Sequence, residues 1–286
     1  INEPDRSMSY FGRANYILND RYYLTFTLRA DGTNVFAPGN KWGIFPAASA
    51  AWRISDESFM EWSKDWLSTL KMRASYGKSG NARVGSYWRQ TYSPVTSTQN
   101  EIGQSSLQPA KRLRNENLTW ESKFSTNVGF DLGFFSNRIN LTFDYYNDVT
   151  KDLIMEVQLP SNAGYSSQYQ NLGQTTNRGV ELSLNANLVQ TKDFYLDFNF
   201  NIAFNKNKVD ALYGANGDEM ILSGGGTETG SDNYRVFVGQ EVGLMYGYVS
   251  DGMYSFDDFT FNPTTKKWDI VTTKDENGVP IVTDCS

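Results

Sequence analysis

The feature that most restricts this chain is a period-two alternation of apolar and polar residues, repeated along most of its length. Leu24, Phe26, Leu28 and Ala30 share one face of an extended run, with Tyr23, Thr25, Thr27, Arg29 and Asp31 on the other. Leu70, Met72, Ala74 and Tyr76 oppose Lys71, Arg73, Ser75 and Gly77. Run 120–132 sets Trp120, Phe124, Val128, Phe130 and Leu132 against Lys123, Ser125, Asn127, Gly129 and Asp131. The same rhythm returns at 139–146, 180–188 and 196–204, and more weakly at 8–18 and 43–54. Successive side chains of a strand point to opposite faces, so the pattern predicts strands with one apolar and one polar face.

Run length decides what such strands can do. A strand crossing a bilayer needs about 9–11 residues, while soluble strands average about 5–6. Most runs here reach the longer figure. The polar face carries Arg29, Asp31, Arg73, Asp131, Asp144, Glu181 and Asp197 among Asn, Ser and Gly, which suits a hydrated lumen or the surface of a plug. Alternation by itself also suits a soluble sandwich whose polar face meets water, so that alternative stays open. Links near 19–21, 136–138 and 190–193 are short, whereas those at 78–117, 150–176 and beyond 205 are long. Two intermediate links, 31–42 and 55–69, fall in the same alternating order. Short and long links alternate when strands pass up and down between two different compartments.

The expected architecture is an all-β, antiparallel, up-and-down transmembrane β-barrel segment of about eight strands. They fall at about 8–18, 22–31, 43–54, 70–77, 119–133, 138–148, 177–188 and 194–204, with long loops at about 78–117, 150–176 and 205–260. Within the link 55–69, Phe59, Trp62, Trp66 and Leu67 repeat at helical spacing, and Ser58 with Glu61 forms a capping-box pattern. A short amphipathic helix packed against the end of the barrel is expected there. Tyr22, Tyr23, Trp52, Phe134 and Phe135 lie near strand ends, where an interfacial girdle would sit.

Composition narrows the functional classes. Twenty-six basic and 32 acidic residues give a net charge of −6, which argues against nucleic-acid binding. No run approaches the eighteen or so apolar residues of a membrane-spanning helix. The sequence contains no His, which removes Ser-His-Asp triads and His-ligated metal centres. Gly77-Lys78-Ser79 lacks the upstream Gly of a phosphate-binding loop, since Met72 and Arg73 stand there. Gly224 to Gly226 reads as loop. Asp275, Asn277 and Gly278 mimic part of a calcium loop without its later Glu. Nothing selects a glycosidase pair among 32 acids. The lone Cys285 allows no disulfide framework. No catalytic, cofactor or metal residues are therefore assigned.

Several segments resemble the SusC/RagA family of TonB-dependent outer-membrane transporters of Bacteroidetes. They are Tyr-Phe-Gly-Arg-Ala-Asn-Tyr at 10–16, Leu-Arg-Ala-Asp-Gly-Thr at 28–33 and Phe-Pro-Ala-Ala-Ser-Ala-Ala-Trp-Arg-Ile-Ser at 45–55. Next come Leu-Lys-Met-Arg-Ala-Ser-Tyr-Gly-Lys-Ser-Gly-Asn at 70–81, Leu-Thr-Trp-Glu at 118–121 and Asn-Arg-Gly-Val-Glu-Leu-Ser-Leu-Asn at 177–185. The last is Gly-Leu-Met-Tyr-Gly-Tyr-Val-Ser-Asp-Gly-Met-Tyr at 243–254. The resemblance implies a plugged barrel of about twenty-two strands, paired with a SusD-like surface lipoprotein and driven by TonB. It implies import of oligosaccharides, or of peptides in some members, across the outer membrane of a Gram-negative bacterium. The family's signal peptide, N-terminal extension, TonB-contacting segment, plug and final strands have no counterpart here, so the expected role of this segment is wall and surface loops. Tyr87, Trp88, Tyr92, Tyr165 and Tyr169 cluster in the long loops and are the candidates for substrate contact. Two other readings are a soluble or surface carbohydrate-binding β-protein and a barrel acting as an adhesin without transport.

Overall fold

The structure, a computed structural model, describes residues 5–84, 92–97, 104–109, 111–212, 219–221, 234–245, 259–270, 273–274 and 280–281. Eight long strands form one antiparallel sheet whose spatial order is the chain order. They are β1 (Ser7–Leu18), β2 (Tyr22–Thr33), β3 (Trp42–Arg53), β4 (Leu67–Asn81), β5 (Glu121–Phe134), β6 (Ile139–Lys151), β7 (Gln174–Gln190) and β8 (Tyr195–Ala211). The division of the chain places residues 1–245 in one unit and 246–286 in another; the second contains the hairpin Phe259–Asn262 with Lys267–Ile270.

Register carries the alternation across the whole sheet. Ala14 stands opposite Phe26, Phe26 opposite Ala48, and Ala48 opposite Tyr76. Farther along, Met72 meets Phe130, Phe130 meets Phe143, Phe143 meets Leu182, and Leu182 meets Ile202. One face is thus apolar from β1 to β8. A slip of one residue in any pair would turn that strand's apolar side chains to the other face, so the register is strongly specified.

The apolar face is not a core. Phe26, Leu28, Ile44, Phe198, Phe200 and Phe204 are all exposed. The buried apolar residues lie almost entirely at strand ends and in links, with Phe36 and Leu118 fully buried. A sandwich would bury one such face against a second sheet. This sheet presents its apolar face outward, as a wall does.

At each end of that face stand stacked aromatics. Tyr10 and Trp42 lie 6.1 Å apart at one end, and Tyr22 and Trp52 lie 6.2 Å apart at the other. Trp42 and Trp52 share a strand and a face. Ten residues at about 3.3 Å each, tilted by about 40°, span about 25 Å, the height of a barrel's apolar band. Tyr23 turns to the polar face, where the Lys71 ammonium sits 5.5 Å from its ring centre, so it stands apart from the girdle expected of it.

Short turns close one end. Asn19 and Asp20 both have positive φ, the conformation of a tight hairpin turn that matches strand twist. Phe135, Ser136 and Asn137 also have positive φ, and the Thr69 hydroxyl donates to Asn137 Oδ1 at 3.0 Å. The expected amphipathic helix at 58–67 forms differently. Two 3₁₀ turns, Ile54–Asp56 and Ser58–Ser63, replace it, and Ser58 is the first residue of the second turn rather than its cap. The preceding Glu57 occupies the capping position in extended conformation. Its carboxylate accepts from the Tyr22 hydroxyl at 2.7 Å, the Trp52 indole at 3.0 Å and Arg21 at 3.1 Å. The link is therefore fastened to the ends of β2 and β3.

Those bonds have a pH consequence. Donation from Tyr22, then Trp52, with the Arg21 charge beside it, holds the Glu57 carboxyl below the ordinary carboxylate range. A depressed carboxylate contributes stability that is fully present above its unfolded pKa and is lost as pH falls through the folded value. Hydrogen exchange in 54–66, taken relative to the intrinsic rate at each pH, is expected to accelerate as pH drops through the acid range in the native protein. In Glu57→Gln it is expected to be faster at neutral pH and to lose most of that pH dependence; equal profiles would refute the assignment.

Candidate functional site

The long-link end is built as a cap. Val35, Phe36 and Leu118 form a buried cluster, with Ala82, Val84, Trp120, Ile154 and Tyr169 packed on it. Trp120 was expected to begin a strand. It lies instead just before β5, with its ring 5.5 Å from Phe36 and 5.4 Å from Phe45, and its indole donates to the Lys41 carbonyl at 3.3 Å. The cap thus draws together the links after β2, β4 and β6. A small sheet accompanies it: Ile154–Gln158 pairs antiparallel with Ser167–Asn171, which pairs parallel with Arg112–Leu113. Asn171 clamps Thr119 by accepting from its N–H and donating to its carbonyl, both at 2.8 Å.

Glu156 is the polar centre of this sheet. Ser167 and Tyr169 donate their hydroxyls to it, and Arg112 donates through Nε and Nη2 at 3.3 and 3.2 Å. The Arg112 guanidinium also lies 4.8 Å from the Tyr169 ring centre. The Ser167 hydroxyl, with Arg112 and Tyr169, holds the Glu156 carboxyl below its ordinary value against the opposing effect of burial. Sequence reasoning missed this group because Arg112 and Glu156 stand 44 residues apart.

The candidate tyrosines part company. Tyr169 is half-buried, with one ring face under Arg112 and its hydroxyl on Glu156, so it organises the cap. Tyr165 precedes the same strand and is half-buried. Tyr92 is 59% exposed on the hairpin Tyr92–Ser97 with Gln104–Pro109. Tyr87 and Trp88 lie outside the described residues, as do Gly224 to Gly226, Asp275, Asn277 and Cys285.

Beside the cap, on the polar face, lies an open cleft of about 930 Å³ lined in part by Ser9, Arg29, Asp31, Arg83 and Trp120. Arg29 Nε meets both oxygens of Asp31, at 2.8 and 2.7 Å, and Nη2 donates to the Ser9 hydroxyl at 3.3 Å. A guanidinium, a carboxylate, hydroxyls and an indole converge there, a set able to bind hydroxyl or peptide groups. The signal for it was the i, i+2 spacing of Arg29 and Asp31 on one face of β2. Nearer the middle of the sheet, Arg73 grips Asp131 with two bonds of 2.9 and 3.0 Å and Asp144 with a third of 3.1 Å. Among the described residues no group of His, Cys, Asp and Glu is arranged to hold a metal ion.

Residues 2–278 match the family model described as TonB dependent receptor-like, beta-barrel. The chain belongs to that family. Its outward apolar face is accordingly the lipid face of an outer-membrane barrel wall, and its polar face the lumen. TonB-dependent receptor SusC of Bacteroides thetaiotaomicron is 33% identical over 283 residues, covering 96% of this chain and 26% of that protein. TonB-dependent receptor P26 of Formosa agariphila is 37% identical over 240 residues, covering 84% and 24%. The structure of the RagAB peptide transporter is similar with a TM-score of 0.70 at 27% identity, over 82% of this chain and 24% of that one. These likenesses place the chain in the SusC/RagA branch of the family. The chain spans about a quarter of the length of the curated relatives it matches.

Proposed function

We propose that this chain supplies wall and surface links to an outer-membrane importer of large nutrients, most readily oligosaccharides. In this reading TonB energises import, and a SusD-like surface lipoprotein covers the long-link end. The observation that carries it is the two-faced sheet: an apolar band bounded by aromatic pairs behind a polar, charge-paired lumen, within a family of TonB-dependent receptors.

The lumenal chemistry supports a polar, hydroxyl-rich cargo. Asn199, Asn201 and Asn205 follow one another along the lumenal face of β8 as exposed amides. At the long-link end the cleft offers Arg29, Asp31 and Trp120. We place the first substrate contacts on the surface links, with Tyr92 and Tyr165 as ring platforms and Tyr87 and Trp88 as further candidates. Tyr169 serves by fixing the cap. A second reading, peptide import, is favoured by the likeness to the RagAB peptide transporter; the paired charges of Arg29 and Asp31 would suit termini or side chains of a peptide.

Binding to the purified full-length protein, with and without its lipoprotein, tests the cargo. Calorimetry against neutral oligosaccharides and mixed peptides is expected to show sugar binding that weakens about tenfold in Tyr92→Ala, the loss of about 1.4 kcal/mol of contact. Peptide binding without sugar binding would replace the first reading by the second. Uptake that continues unchanged after deletion of TonB would remove the importer reading altogether.

A further inference from the structure

The link 54–66 carries an aromatic ladder on its outer side. Phe134 ends the lipid-facing row of β5 that runs through Val128, Phe130 and Leu132. Trp66 lies against Phe134 with ring centres 6.1 Å apart and planes at 15°. Trp62 adds a third ring 6.0 Å from Trp66. Phe59 lies in the same 3₁₀ turn. Exposure rises along the ladder, to 41% at Trp66 and 71% at Trp62, with Phe59 at 59%. The opposite side is sealed: Ser55, Ser63 and Leu67 are buried, and Ser63 donates to the Met60 carbonyl at 2.8 Å. Glu61 and Lys64, an exposed pair 3.6 Å apart, take the polar edge. The stripe of Phe59, Trp62, Trp66 and Leu67 is expected to pack against the end of the barrel. Leu67 does so as the buried first residue of β4, and Trp66 does so against a lipid-facing residue, while Trp62 and Phe59 stay exposed.

We infer that the turn Ser58–Ser63 is a lateral foot whose Phe59 and Trp62 side chains lie in the headgroup region of the phospholipid leaflet at the short-turn end of the wall. Three observations converge on this occupant. The ladder continues the lipid face without a break, so its outer rings meet whatever covers Phe134. The link departs from the wall just beyond Trp52, whose ring with Tyr22 marks the inner edge of the apolar band. Tryptophan with a wet and a dry side favours that level of a bilayer, and an amphipathic segment lying in the plane buries its apolar side at the boundary of headgroups and acyl chains. Glu57 fixes the angle at which the foot leaves the wall, through Tyr22, Trp52 and Arg21.

The test is a depth measurement on the full-length protein in vesicles of phosphatidylethanolamine and phosphatidylglycerol. Nitroxide labels are introduced singly by Phe59→Cys, Trp62→Cys, Lys64→Cys and Ala48→Cys in a background freed of other cysteines. Folding of each variant is checked by its heat-modifiable migration on gels. Collision with dissolved oxygen is compared with collision with a water-soluble nickel chelate. Labels at 59 and 62 are expected to favour oxygen, less strongly than the mid-band label at 48, while the label at 64 favours nickel. Nickel-favouring collisions at 59 and 62, with oxygen still favoured at 48, overturn the foot and leave the wall intact. Poor access of both reagents at 59 and 62 overturns it in favour of protein covering the rings. Nickel-favouring collisions at 48 as well overturn the wall assignment, and the foot with it.

Discussion

Replacing Arg73 with Met is expected to lower the stability of the full-length barrel by about 2–4 kcal/mol. Arg73 is the cation that joins Asp131 and Asp144, with side-chain exposures of 32%, 31% and 19%. Asp144 Oδ1 already has no hydrogen-bond partner among the described residues. Without the guanidinium, two carboxylates on neighbouring strands would face each other in a partly desolvated site. The space was shaped for this ion group, because a Cβ at Gly129 would meet Asp144 Oδ1 and come within 2.8 Å of Arg73 Nη2. Denaturant unfolding of the folded barrel in lipid measures the loss. The triple variant Arg73→Met, Asp131→Asn, Asp144→Asn is expected to recover most of it, because the repelling charges leave with the cation. A triple variant less stable than the single one would show that Arg73 acts through packing instead.

The second large effect separates the two faces at one point on β3. Ala48 lies near the middle of the stretch between Trp42 and Trp52 on the lipid face, and Ser49 is its neighbour on the lumen face. Ala48→Arg should cost about 2–4 kcal/mol, the depth-dependent cost of a cation near the bilayer midplane. Ser49→Arg should stay within about 0.5 kcal/mol, as solvated surface substitutions do. The two residues share local backbone and differ chiefly in facing, so the contrast reads orientation alone. Equal effects at 48 and 49 would contradict the assignment of the faces.

How much of this was visible in the residues follows from where alternation has a cause. Between the aromatic pairs, lipid on one side and water on the other force the period of two, and the antiparallel order could be read there. Beyond the band both faces are wet, so the signal fades while the hydrogen-bond ladder continues. That is why β8 runs on through Asn205, Lys206, Asn207 and Lys208, and β4 through Lys78 to Asn81, in stretches that read as loop. The turn at 58–63 was misjudged because Ser58 and Glu61 have capping spacing, yet Glu57 was already committed to Tyr22 and Trp52. In the candidate site, loop tyrosines could be picked out from the sequence, but not that Tyr92 is exposed while Tyr165 and Tyr169 are half-buried. The Glu156 group could not, since its members meet only after the links after β4 and β6 fold together. Trp120 misled for the opposite reason: it keeps the alternation in phase yet belongs to the cap.

Each wall strand neighbours its predecessor, with no crossover anywhere in the eight. A link therefore leaves and re-enters the sheet through strands about 5 Å apart, whatever its length. Lengthening it costs only a logarithmic closure entropy and moves no strand. The frame and the surface it displays are thus free to change at different rates. Insertions within 161–164, clear of the Ser166–Lys111 and Ser167–Glu156 bonds, would remodel the outer surface while the membrane-crossing register stays as it is.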